Sequence, residues 1–105
     1  MKTLLKPDPE YRNGYKDKKR LTALHNLPCV NCQSKGVRQR TKTIAHHRIG
    51  LGLGLKASDL LTCSICEDCH TGKNGIHNTP LWKWEEENNS QDRLIELTNE
   101  MLENL

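Results

Sequence analysis

Cys66-Glu67-Asp68-Cys69-His70 is a CxxC knuckle that ends on a histidine, and upstream of it Cys29-Val30-Asn31-Cys32 is a second knuckle, with 33 residues between the pairs. A CxxC turn puts two thiolates on one side of a tight bend, which is half of a tetrahedral site. Two knuckles complete the tetrahedron and leave no open position for chemistry. The spacing therefore predicts a structural zinc on Cys29, Cys32, Cys66 and Cys69. A thioredoxin-like redox motif would need a single CxxC in a βαβ setting, not two in a polar chain. Cys63 is left over and reads as a small buried hydrophobe, with a spare metal ligand as the other reading.

The composition calls for such a staple. Of 105 residues 34% are hydrophobic, and the aromatic side chains are two Trp and two Tyr. A chain this polar builds a small apolar core, so a metal has to supply part of the folding free energy. One domain is expected at this length. Met1–Leu5 is too short an apolar stretch for a signal peptide, and no apolar run approaches membrane-spanning length. The expected setting is the cytoplasm, with no membrane partner, where cysteines serve as metal ligands more readily than as disulfides. The net charge of +3 hides a division. Residues 1–56 carry 13 Lys/Arg against three acids, and residues 57–105 carry three against ten. The basic half suggests a polyanion, and the acidic half a solvated surface.

Three segments follow. Residues 1–20 read as a flexible, lysine-rich basic arm, 21–80 as the zinc-bound core, and 81–105 as C-terminal helices packed on that core. Leu21–Leu27 suits a short helix. Residues 37–42 and Thr43–His47 suit an antiparallel hairpin, and Asp59–Ile65 a further short strand. Residues 48–56, with alternating Gly and Leu, form a loop; neither GxGxxG nor a Gly-Lys-Ser/Thr ending is present to bind phosphate. Thr79-Pro80 reads as an N-cap followed by Pro at the first helical position, opening a helix to about Asn88. Ser90 caps a last helix, with Leu94, Leu97, Met101 and Leu105 on one stripe.

Between the knuckles lies Ile44-Ala45-His46-His47-Arg48. Neighbouring strand residues point to opposite sides, so the two imidazoles serve different roles. His70 follows the second knuckle directly, and the staple draws it toward the strand that carries the pair. A lone histidine is usually a surface or satisfied core residue. Three histidines around a metal knuckle in a basic protein point instead to hydrolysis of a phosphodiester. Such a reaction needs a base near neutral pH and a divalent cation on the phosphate.

The order Cys29-x-x-Cys32, His46-His47, Cys66-x-x-Cys69-His70-x-x-Lys73 resembles the signature of the HNH (ββα-metal, His-Me finger) endonucleases. The stretches 27–32 and 46–50 are similar to phage recombination-enhancement nucleases that act with RecA. The glycine loop, the Lys56-x-x-Asp59-Leu60 step and the CxxCH are similar to prophage-encoded HNH-like nucleases. The likeness spans residues 24–78 and implies an α+β, zinc-stapled ββα-metal domain that cuts DNA, or RecA-coated DNA, in a bacterial host cell as a monomer or weak dimer. By position it makes His47 the general base, and His46 and His70 ligands of a catalytic Mg2+, Mn2+ or Zn2+. The middle Asn of the signature has no counterpart here; Asp59 lies nearest. Gly75 argues against a continuous helix and for a loop that faces the site, where His77 reads as a weaker third metal ligand, as a phosphate contact or, equally, as a structural residue. Arg48 and Lys73 flank the expected phosphate position, and Lys18, Lys19 and Arg20 are expected to bind backbone phosphates.

The rival from another class is a non-catalytic zinc-knuckle module that holds DNA as a recombination accessory. It accounts for the knuckles and the basic arm, but not for the convergence of His46, His47 and His70. A protein-interaction adaptor would rest on the acidic C-terminal helices alone.

Overall fold

The computed structural model describes residues 9–50 and 56–105. The start of the basic arm and most of the glycine-punctuated loop lie outside the described residues. Among the described residues, five helices and one two-stranded sheet form a small α+β unit: α1 Lys18–His25, α2 Val30–Lys35, β1 Thr43–His47, β2 Thr62–Cys66, α3 Glu67–His70, α4 Leu81–Glu87 and α5 Gln91–Glu103. Pro9–Tyr11 and Ile76–Asn78 are single 3-10 turns.

β1 pairs antiparallel with β2, with Thr43 opposite Cys66 and His46 opposite Cys63. This corrects the predicted hairpin of residues 37–42 with Thr43–His47. Gly36 ends α2 in the left-handed region at φ 68° and returns its amide to the Cys32 and Gln33 carbonyls. The Gln39 side chain then accepts from the Cys29 amide (2.8 Å) and donates to the Thr41 carbonyl (2.7 Å). Residues 37–42 are thus an irregular wrap around the first knuckle, and the partner of β1 comes from beyond the glycine loop. The strand predicted from Asp59 starts at Thr62, since Asp59 and Leu60 form a turn.

The predicted boundary between arm and core, after residue 20, falls inside a helix. Asp17 caps α1 by accepting from the Arg20 amide. Tyr15 O accepts from the Asp59 amide (2.9 Å), and Gly14 N donates to Lys56 O (2.9 Å), so residues 14–17 strap across 56–59. Ser90 caps α5 as its sequence predicts, accepting from the Arg93 amide. Thr79 does not cap α4: Pro80 occupies that position without a side-chain bond, and the helix begins at Leu81.

α5 packs across β2, and α1 lies against both strands. Leu94 is buried, Leu97 and Met101 pack on the core, and Leu105 is exposed, so the predicted stripe holds for three of its four members. Thr98 completes the seam: its hydroxyl accepts from the Ser64 amide (3.1 Å) and donates to Leu94 O (2.8 Å). The core is Val30, Ile65, Ile76, Trp84, Leu94 and Ile95 packed directly on the cysteines. Each such aliphatic side chain contributes about 1.5–3 kcal/mol on burial. Among the described residues, no helix is long and apolar enough to cross a membrane.

Candidate functional site

The four knuckle cysteines converge. Their Sγ atoms stand 3.8 Å apart for Cys29–Cys69, Cys32–Cys66 and Cys32–Cys69, and 3.5 Å for Cys66–Cys69. A tetrahedron with Zn–S of about 2.3 Å has edges of about 3.8 Å, so the cluster could hold a structural metal such as zinc. The thiols cannot all ionise without a cation. Burial and the adjacent Cys29 sulfur push Cys32 up to about 12, whereas hydrogen bonds, the one shared with Cys69 foremost, bring Cys29 down to about 5. Buried Asn31, inside the first knuckle, donates to Cys69 Sγ (3.4 Å) and to Asn88 Oδ1 (3.1 Å). That bond ties the cysteine cluster to the turn between α4 and α5. Cys63 is fully buried in the core, and burial raises it to about 12.

The second knuckle runs straight from β2 into α3, so His70 sits at the helix end beside the staple. Two glycines then let the chain fold back. A Cβ on Gly72 would lie 2.5 Å from Asp68 O, and one on Gly75 would lie 2.6 Å from His70 O. The 3-10 turn after Gly75 returns His77 to His70, with the two Nε2 atoms 2.9 Å apart. His46 closes the group from β1, its ring centroid 5.1 Å from that of His70 and 5.4 Å from that of His77. One ligand nitrogen of each lies within 4.8 Å of the others, an arrangement that could hold a metal ion.

Burial lowers His46 to about 4, which its hydrogen bond to Gln91 only partly offsets, and burial together with His77 lowers His70 to about 4. Both rings are neutral near pH 7, as ligands must be. His46 Nδ1 is buried and is the one buried side-chain nitrogen or oxygen among the described residues with no hydrogen-bond partner. Leaving such an atom unsatisfied costs about 1–3 kcal/mol. A cation would satisfy it. Three imidazoles suit borderline transition ions better than Mg2+, and three protein ligands leave a position open for water or substrate.

His47, the next residue of β1, pairs with Asp59. Its Nε2 lies 2.7 Å from Asp59 Oδ1, and Asp59 Oδ2 accepts from the Asp17 amide at 2.7 Å. Burial acts to raise the Asp59 carboxyl, but the Asp17 amide and the His47 ring outweigh it and hold the group below the ordinary carboxylate value. An ionised carboxylate only accepts. His47 Nε2 therefore carries the proton, and Nδ1 holds the lone pair of a base. The side chain is 21% exposed, open enough to meet water.

The structure brings together His46, His70 and His77, with His47 next along β1. It gives two of the expected phosphate contacts other work. Arg20 is half-buried, its Nε and Nη2 donating to Thr62 Oγ1 and Thr62 O, each at 2.8 Å. Arg48 Nε pairs with Asp92 at 2.9 Å. Lys18, Lys19 and Lys73 are exposed. Sequence reasoning missed Gln91 and Asn31 and placed Asp59 only by its position in the pattern. A Gln in a first helical turn carries no signal by itself, and its meeting with His46 spans 45 residues. No protein-family model, curated protein or solved structure matches the chain.

Proposed function

We propose that this chain is a metal-dependent DNA endonuclease of the HNH type, a phosphodiester hydrolase stapled by zinc on its four knuckle cysteines. The observation that carries the reading is the unpartnered, buried Nδ1 of His46 within a three-histidine group, one residue from a His–Asp pair. A structural cluster needs no His–Asp pair beside it, and a binding module needs no neutral histidines gathered at one point.

In this reading His46, His70 and His77 would hold a divalent ion, Mn2+ or Zn2+ in preference to Mg2+ by donor chemistry. Bound there, it supplies positive charge to the scissile phosphate and the leaving oxygen. His47 Nδ1 takes a proton from the attacking water as the new O–P bond forms. The P–O bond to the leaving sugar oxygen breaks, and that oxygen takes its proton from solvent. Asp59 fixes the His47 tautomer and steadies the imidazolium that results. Lys18, Lys19 and Lys73 attract the polyanion without reading its bases. Phage or prophage origin, a cytoplasmic setting and action on RecA-coated strands are part of the proposal through the resemblance alone.

The test is nicking of supercoiled plasmid by the zinc-loaded protein, with Mn2+, Zn2+ or Mg2+ added and an EDTA arm beside them. Ion-dependent conversion to open circles is expected, most with the transition ions. DNA binding without ion-dependent cleavage on duplex, single-stranded or RecA-coated DNA would give the chain to the zinc-knuckle binding reading.

A further inference from the structure

One of the three histidines, His46, is met from outside the motif by the first residue of α5. Gln91 is 2% exposed, and its side chain meets His46 on β1 and Ile49 just beyond the strand. Its Oε1 lies 2.9 Å from the Ile49 amide nitrogen and 2.9 Å from His46 Nε2. Its Nε2 lies 3.1 Å from the Ile49 carbonyl. A carboxamide can be turned either way, but here the backbone decides. The Ile49 N–H can only donate and the Ile49 C=O can only accept, so the oxygen of Gln91 faces the amide and His46. Meeting an oxygen, His46 Nε2 must be the donor.

A neutral imidazole carries one proton. With that proton on Nε2, Nδ1 of His46 carries the lone pair, and Nδ1 is the buried atom that lacks a partner. The backbone of Gln91 is itself held, its amide donating to Glu85 Oε2 at 2.7 Å, so α4 and α5 anchor the side chain from behind. Other polar contacts of this end of α5 run elsewhere: Asp92 pairs with Arg48, and Arg93 with Glu96.

We propose that Gln91 is a positioning residue of the three-histidine centre, holding His46 as its Nε2–H tautomer so that Nδ1 serves as the ligand of a divalent transition ion. The assignment rests on the reading that these histidines take an ion. It adds that the C-terminal helix, beyond the CxxCH motif, belongs to the ion site. Removing such an outer partner of a metal-bound histidine typically lowers metal affinity about 10- to 100-fold.

Cobalt titration of the zinc-loaded protein tests it. Visible d–d bands report Co2+ at nitrogen ligands, and the absence of a near-UV thiolate-to-cobalt band shows that zinc stays on the cysteines. Gln91→Met keeps the volume but not the acceptor, and should weaken Co2+ binding about 10- to 100-fold. Gln91→Glu keeps an acceptor on His46 Nε2–H, and should stay within a few-fold of the parent. A purely structural role for Gln91 would weaken both variants alike. Nitrogen-15 spectra of the parent before cobalt is added should show His46 protonated at Nε2 and bare at Nδ1, a readout that holds even if Gln91→Met fails to fold. A protonated Nδ1, a Gln91→Met affinity equal to the parent's, or equal losses in both variants would overturn the assignment. Absence of cobalt uptake by the parent would overturn the centre with it. A parent that binds cobalt and responds to Gln91→Met but never nicks DNA would sink the nuclease reading and leave this one standing.

Discussion

Each of the adjacent histidines, 46 and 47, has its ring proton placed by one neighbour, and the roles proposed for them follow from that placement. Gln91 leaves His46 a bare Nδ1 inside the protein; Asp59 leaves His47 a bare Nδ1 where water can reach it. Asp59→Ala should lower the cleavage rate on the order of 100-fold, the low end of what a positioned base contributes. Cobalt affinity should not change, because Asp59 touches none of the three ligands. A rate within a few-fold of the parent would show that His47 needs no orienter. The buried imidazoles also set a pH dependence. His46 and His70 titrate near 4 when folded, against about 6.5 in an unfolded chain. Between those values the unfolded state binds more protons, so stability is full above about 6.5 and is lost as pH falls toward 4. Urea midpoints of protein stripped of any ion at the histidines should fall from pH 7.5 to pH 5.5, and His46→Gln should flatten the trend. Equal slopes in the two proteins would contradict the burial argument. At this scale the sequence is partly legible. Histidine and cysteine announce their chemistry by type, and His46, His47 and His70 stand out for that reason. Gln91 and Asn31 act only through partners remote in sequence, and no local pattern marks them.

At the scale of the element, the legible features are those with a local cause. The CxxC knuckles need only a tight bend, and Ser90 needs only to precede a helix with free amides. The hairpin fails because pairing is a long-range choice: residues 37–42 have strand-compatible spacing, but Gly36 and Gln39 commit them to wrapping the first knuckle. Thr79-Pro80 fails because a sequence pattern cannot say whether a hydroxyl finds its amide. Gly75 is the position on which the histidine group turns. In the sequence it reads as a break that leaves His77 facing the site, and in the fold it allows the backbone approach that returns His77 to His70. Gly75→Ala would press a methyl against the His70 carbonyl, with no flexible side chain to give way. Loss of cobalt binding at the histidines is expected, with zinc retained at the cysteines. Parent-like cobalt spectra in Gly75→Ala would show that the turn has slack.

The whole molecule divides into a basic first half and an acidic second half, and the structure uses part of that charge internally. Arg20 and Arg48 are engaged with Thr62 and Asp92, so of the five cations expected to meet phosphate Lys18, Lys19 and Lys73 stay exposed. Lys18→Glu with Lys19→Glu should reduce the slope of log affinity against log salt by about 0.9 for each phosphate no longer neutralised. An unchanged slope would remove the start of α1 from the DNA face. The core packs directly on the cysteines, so a structural metal held by them would carry the fold as a unit. Cys32→Ser or Cys66→Ser should unfold the domain, and a folded Ser variant with parent-like thermal stability would contradict a structural metal. The role proposed for His47 is that of the base with which this unit hydrolyses phosphodiesters. Its most direct measurement is single-turnover nicking of supercoiled DNA by His47→Ala beside the parent, at saturating Mn2+. A rate lower by about 100-fold or more is expected, with DNA affinity and cobalt affinity unchanged. Parent-rate cleavage by His47→Ala would contradict it.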